Sequence, residues 1–247
     1  MLRRIAAIFE EIAPKVLEAS WDNTGILVEP YELSTTNRVM LTIDLTSAVL
    51  EEAISKKVSV IVAYHPVIFK GIKSIQLNDK KQQIISKCLH HHIGVFSPHT
   101  RLDAITGGIN DWIVEPFIGE IIIPDDKMGR MILLKDPIPF NTVISTCKQH
   151  FNVKHLLYAN PRDNINSIAV CAGSGASVLL NFDADCYITG ELGHHDVLHF
   201  IEQGKSVVVT NHTNTERGYL VKLKLVLETK GITTMISTID KDPLQFC

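Results

Sequence analysis

The segment Ser59-Val60-Ile61-Val62-Ala63-Tyr64 is apolar at almost every position and rich in β-branched residues. No polar alternation sets one face aside for water. Such a run marks a strand buried on both faces, and strands of that kind belong to parallel sheets flanked by helices. Its neighbours agree. Val39 to Leu45 reads as a strand, with Ser47 placed to cap a helix running to Lys57. Lys81 to His92 is helical, Gly94 to Ser97 is a short strand, and a further helix spans Asn110 to Val114. Strand and helix alternate, which predicts a mostly parallel sheet with right-handed crossovers. Ahead of this, Leu2 to Ile12 spaces its apolar residues helically and stops before Pro14.

After Pro116 the character shifts. Glu120 to Pro124 and Gly129 to Pro137 look like strands, Thr142 to Phe151 like a helix and His155 to Ala159 like a strand. Alternation then resumes with strands at Ser167 to Cys171, Cys186 to Thr189 and Ser206 to Thr210. Helices are expected from His195 and from Thr215 to Glu228, and Met235 to Ile239 is a last strand. The expected fold is α/β, divided into an N-terminal lobe over residues 1–120 and a C-terminal lobe over 121–247.

Apolar residues make up 45% and charged residues 21% of the 247, as in soluble globular proteins. A net charge of -3 gives no long-range attraction to nucleic acid, and no apolar window reaches transmembrane length. Met1 to Ala19 carries Glu10, Glu11 and Glu18, so it reads as a first helix and not as a transit peptide. Cys88, Cys147, Cys171, Cys186 and Cys247 are widely spaced and form no C-x-x-C, the usage of reduced intracellular thiols. Cys171 and Cys186 are expected in the core.

Three predicted strands run into a histidine: His65, His99 and His212. Two of these have a carboxylate four residues on, Asp103 after His99 and Glu216 after His212. Ligands bind outside the carboxyl ends of strands in open α/β sheets, and imidazole with carboxylate is a ligand set for zinc, iron or manganese. These five residues are the expected metal ligands. Arg101 and Arg217 lie near the two acids, so an ion-pair patch is the competing reading for the carboxylates. Glu191, His194 and His195 follow another strand end and suit proton transfer near neutral pH; the alternative is a polar helix start. Gly173-Ser174-Gly175 is a weak candidate for cradling a phosphate. Asp22 and Asn23 serve equally as a turn or as a pair orienting ligands. Trp21 reads as a packing anchor.

The segments Ser20-Trp21-Asp22-Asn23-Thr24-Gly25, Asp44-Leu45-Thr46, Tyr64-His65-Pro66, Pro98-His99-Thr100 with Asp103, Gly108-Ile109-Asn110-Asp111-Trp112, Gly190-Glu191 with His194-His195, and Thr215-Glu216-Arg217-Gly218 occur in this order. In them the chain resembles the Ngg-one-interacting-factor-three family, whose bacterial members carry the name GTP cyclohydrolase I type 2-like. The resemblance implies two interlocked α/β lobes enclosing a metal-binding crevice, with up to two divalent ions per subunit, zinc, iron or manganese. It places them on His65, His99, Asp103, His212 and Glu216, and it implies a ring-shaped homohexamer. A hydrolase acting on a nucleotide such as GTP is one expectation, with His194 or His195 as proton shuttle and Glu191 orienting it. A non-catalytic partner of transcriptional regulators is the alternative. The expected location is cytoplasmic, with the nucleus as a second site. Tyr64 replaces the first histidine of the common bacterial His-His-Pro, which leaves one ion with one donor fewer.

Overall fold

A computed structural model describes residues 1–32 and 34–244; Cys247 lies outside the described residues. The chain forms two compact units. One comprises Met1–Leu102 with Tyr219–Lys241, the other Asp103–Gly218 with the segment from Asp242. The division therefore falls earlier than residue 120, and the chain returns to its first unit near the end. The reason is a late strand that pairs with an early one.

In the first unit, helix α1 (Leu2–Ile12) precedes strands β1 (Gly25–Val28) and β2 (Arg38–Thr42), helix α2 (Ser47–Ser55) and strand β3 (Val60–Ala63). Helix α3 (Lys80–His90), strand β4 (Gly94–Ser97) and the short helix α4 (Thr100–Ala104) follow, and the chain passes into the second unit within α4. The sheet order is β1-β4-β3-β2-β11, where β11 is Thr233–Ile236. β11, β2, β3 and β4 are mutually parallel and β1 is antiparallel at the edge. All four residues of β3 are buried, as its unbroken apolar run requires.

Helix α1 buries Leu2, Ile5, Ile8 and Phe9, one helical face, and Phe9 stacks on Phe96 with ring centroids 4.7 Å apart. The cap of α2 is Thr46, whose side chain accepts from Val49 N, one residue before the expected Ser47. Thr46 has the extended backbone an N-cap needs, whereas Ser47 is already helical. Arg101, although only 2% exposed, donates to Ala13 O (2.6 Å) and Phe9 O (3.2 Å), satisfying carbonyls at the end of α1.

Glu52 on α2 ties the end of β11 to the sheet. Its carboxylate accepts from Ser237 Oγ (2.5 Å), Thr238 N (3.0 Å), Thr238 Oγ1 (2.6 Å) and Lys56 Nζ (2.6 Å). Burial pushes its pKa up, but Lys56, Ser237 and Thr238 together outweigh burial and bring it down to about 2. The ionised form is thus the one the folded chain favours. Its contribution is fully present above about pH 4.5 and is lost as pH falls toward 2. Glu52→Gln is expected to cost about 2–3 kcal/mol at pH 7 and to flatten the acid limb of the stability curve. Urea unfolding from pH 7 to pH 2 checks both; an unchanged midpoint at pH 7 would show that the carboxylate adds no net stability.

The second unit holds helix α5 (Ile109–Val114), strands β5 (Gly119–Ile122) and β6 (Arg130–Ile138), helix α6 (Phe140–His150) and strands β7 (Leu157–Ala159) and β8 (Ile165–Ser174). The four-residue helix α7 (Ala176–Leu179), strand β9 (Cys186–Glu191), helix α8 (His194–Glu202) and strand β10 (Ser206–Val209) complete its sheet, ordered β5-β6-β8-β9-β10-β7. Only β8, β9 and β10 run parallel; the pairs β10–β7, β5–β6 and β6–β8 on either side are antiparallel. Arg130 is fully buried under this sheet, held by Asp111 and by the carbonyls of Ala104, Ile105, Lys127 and Gly129. Helix α9 (Tyr219–Thr229) belongs to the first unit. Cys88, Cys147, Cys171 and Cys186 are buried and unbridged. Among the described residues no helix is long and apolar enough to cross a membrane.

Candidate metal centre

In the first unit the parallel strands β2, β3 and β4 all end at the same side of the sheet. Just past their carboxyl ends stand Asp44, Tyr64-His65 and His99. The rings of His65 and His99 are 5.5 Å apart. Each has its Nδ1 on a carboxylate: His65 on Asp44 Oδ1 at 3.0 Å, His99 on Asp22 Oδ1 at 2.7 Å. An ionised carboxylate only accepts, so Nδ1 carries a proton in both rings and Nε2 is the nitrogen turned away from the carboxylate. Burial pushes the Asp22 carboxyl up, but the bond and charge of His99, the Thr100 hydroxyl and the Asn23 N–H outweigh it and hold Asp22 below its ordinary range. His99 itself has a positive φ of 34°, a conformation side chains tolerate poorly.

The second unit repeats the pattern. Its parallel strands β8, β9 and β10 carry Gly173, Glu191 and the Asn211-His212 turn at their carboxyl ends. His212 Nδ1 lies 3.2 Å from Glu191 Oε2, and His212 Nε2 lies 3.3 Å from Glu216 Oε1. Two donors each about 2.1 Å from one ion sit roughly 3.0–3.4 Å apart, so imidazole and carboxylate are spaced for a shared cation. A single turn of 3-10 helix, His212–Thr215, brings them together across four residues. Asn211 precedes it at φ 72° and ψ 149°, a region almost reserved for glycine. Such strain is held where a neighbouring side chain must be aimed.

Gly173 shows how tightly this half is built. A Cβ there would lie 2.7 Å from Glu216 Oε1 and 2.9 Å from His212 Nε2. The absence of a side chain makes the space in which the two donors meet. Gly173 and Gly175 do not present a phosphate cradle: β8 continues through Ser174, and the N–H groups of Gly173 and Gly175 donate to Thr215 Oγ1 (2.8 Å) and Thr189 Oγ1 (3.1 Å).

Asp103 lies on α4, one turn beyond His99, and its charge together with that of Glu216 acts on Cys171. Burial first, then Asp103, Glu216 and Asp126, push that thiol well above its ordinary range. Arg101 bonds the end of α1 and pairs with Glu10 there. His194 and His195 are exposed at the start of α8, their rings 5.4 Å apart. Among the described residues Glu191 bonds His212 and neither of these two. A cavity of about 340 Å³ opens beside Glu191, lined also by Ser174, Gly190, Asp196 and Asn211.

Known proteins resemble the chain along most of its length. The model of Duf34/NIF3 (NGG1p interacting factor 3) matches residues 1–243. The chain belongs to the DUF34/NIF3 family. Protein NIF3 homolog of Schizosaccharomyces pombe is 39% identical, over 98% of this chain and 96% of that protein. NGG1-interacting factor 3 of Saccharomyces cerevisiae is 36% identical, over 93% and 91%. Among solved structures, reduced HcgD from Methanocaldococcus jannaschii superposes with a TM-score of 0.83 at 24% identity, covering 96% of this chain and 97% of that one. A Bacillus cereus protein related to NIF3 gives 0.82 at 18%, over 99% and 98%. These two likenesses speak for the NIF3 fold alone. In this NIF3-family chain Tyr64 is buried, its ring 5.0 Å from that of His65 and 5.3 Å from that of His99. It walls the pair of imidazoles with a phenol ring.

Proposed function

We propose that this NIF3-family protein is a metal-dependent hydrolase acting on a nucleotide such as GTP through a divalent metal centre. His65, His99 and Asp103 with His212 and Glu216 would hold up to two ions of zinc, iron or manganese. One observation carries the reading: all three candidate histidines rest Nδ1 on a carboxylate, Asp44, Asp22 or Glu191. That is the support a ligating imidazole needs, because it fixes the tautomer and raises the basicity of Nε2. Core histidines have no reason to share it three times at the carboxyl ends of parallel strands.

A bound ion would supply Lewis acidity, bringing the ionisation of water within reach of neutral pH. The protein's own groups do the rest. Asp22, Asp44 and Glu191 hold the imidazole planes, Gly173 keeps the ligand atoms of His212 and Glu216 close, and Tyr64 restricts water at the His65–His99 face. His194 or His195 moves the proton on a ring nitrogen, and the cavity beside Glu191 receives the substrate. On and beside the edge strand β5, Ile118 is 77% exposed and Ile121 and Ile123 are exposed too, which supports self-association into the family's hexameric ring.

A regulatory reading also has a specific observation behind it. Tyr64 packs a phenol where a hydrolase with two equal ions would use an imidazole, and the yeast relative is named for an interaction with NGG1. In that reading the ions support a surface for a transcription regulator, in the cytoplasm or nucleus. Turnover separates the two. Elemental analysis of protein purified without added metal, then assays over a panel of nucleotides, is expected to show metal and hydrolysis. His194→Ala or His195→Ala is expected to lower turnover roughly 10²–10⁴-fold with metal retained. Bound metal without turnover of any nucleotide would favour the regulatory reading.

A further inference from the structure

Trp21 is 62% exposed and Phe69 42% exposed, although burying each ring would be favourable. Both stand against an imidazole of the candidate centre. The Trp21 ring is 6.0 Å from that of His99 at 77°, the Phe69 ring 6.5 Å from it at 85°, and the two are 6.1 Å from each other at 62°. Three rings meeting edge to face form a corner. Its indole face is stacked on none of these partners.

The corner is rigidly mounted. Next to Trp21, the Asp22 carboxylate accepts from His99 Nδ1 and from Thr100 N (3.2 Å) and Oγ1 (2.5 Å). Asn23 Nδ2 donates to Ile68 O at 2.6 Å, clamping the loop that carries Phe69. The carboxylate that orients the ligand His99 therefore also sets the indole. A group resting on Trp21 is registered against His99 by two covalent neighbours and their hydrogen bonds. Lys70 and Lys73 on the Phe69 loop add positive charge for an anionic substituent.

We propose that Trp21 and Phe69 are the recognition shelf for a planar heteroaromatic ring, of which a purine base is the test case. The proposal rests on the reading of His65 and His99 as ligands and names what selects the substrate there. An aliphatic ligand would need only Leu or Ile in the wall. An indole face held open beside an imidazole pair discriminates by stacking, a contact worth about 5- to 150-fold in affinity per ring.

The test compares GMP with ribose 5-phosphate, which has the sugar and phosphate but no ring, by calorimetry on the protein as purified. Wild type is expected to prefer GMP by about 5- to 150-fold. The preference should close in Trp21→Ala and largely return in Trp21→Phe. Trp112 is only 6% exposed, so quenching of indole emission by GMP reports Trp21 and should vanish in Trp21→Ala. Equal affinity for the two probes, no binding of GMP, or a preference that survives Trp21→Ala would overturn the shelf. So would a Trp21→Ala variant that keeps the preference and sediments as a smaller species, which would give the rings to a second copy of the chain. Metal analysis on each sample separates the two ideas. Metal retained without base preference sinks the shelf alone, and base preference in protein that takes up no added divalent ion sinks the metal reading alone.

Discussion

His65→Ala, His99→Ala, His212→Ala and Glu216→Ala are each expected to weaken metal binding by at least about 100-fold, beyond what the loss of an orienting partner causes. Far-ultraviolet circular dichroism should stay as in wild type for the histidine variants. Their side chains are partly exposed, at 22%, 15% and 31%, and sit past strand ends outside the core. Glu216 is buried, so Glu216→Gln is the safer companion: it keeps the shape and removes the charge. The informative comparison is between units. His65 and His99 belong to one, His212 and Glu216 to the other. Elemental analysis showing loss from variants of both supports all four residues as ligands. Loss confined to His212 and Glu216 variants would place the ion in the second unit alone and remove His65 and His99 from it.

Gly173→Ala is expected to be nearly as damaging although it deletes no ligand. The added methyl would enter the space of Glu216 Oε1 and His212 Nε2, and the backbone there has a φ of 61°. Alanine at such a φ costs roughly 1 kcal/mol or more, and the displaced donors no longer converge. Metal affinity should fall about 10–100-fold, the range seen when ligands are misaimed. Stability should fall by only about 1–2 kcal/mol. Calorimetric titration of metal-free protein beside thermal unfolding checks the ratio. Normal affinity in Gly173→Ala would show that the two donors do not share an ion.

Tyr64 and Asn211 mark where local reasoning ends. Tyr64 is visible as a departure from the His-His-Pro pattern, but its role as a buried wall against both imidazoles depends on β3 and β4 lying side by side. Asn211 gave no signal at all, since its strained backbone depends on how β10 runs into the 3-10 turn. Asp22 was legible as a candidate for orienting ligands, but neither its partner nor that of Asp44 could be known. They lie 77 and 21 residues away in sequence. Proximity in the chain groups Glu191 with His194 and His195, whereas its contact with His212 depends on how β9 and β10 end side by side.

What the sequence determined by itself is whatever depends on short-range periodicity. The unbroken Val60–Ala63 run requires a strand buried on both faces, helical spacing in Leu2–Ile12 requires an amphipathic helix, and histidines directly after such strands must emerge at a sheet's carboxyl edge. What only the tertiary structure decided is pairing at long range. It chose β11 as the partner of β2, which brought the late segment carrying α9 and β11 back into the first unit. It also chose which carboxylate meets which imidazole. Periodicity is written in neighbouring residues, whereas partners of distant strands and side chains are selected by the burial and hydrogen bonding of the folded whole.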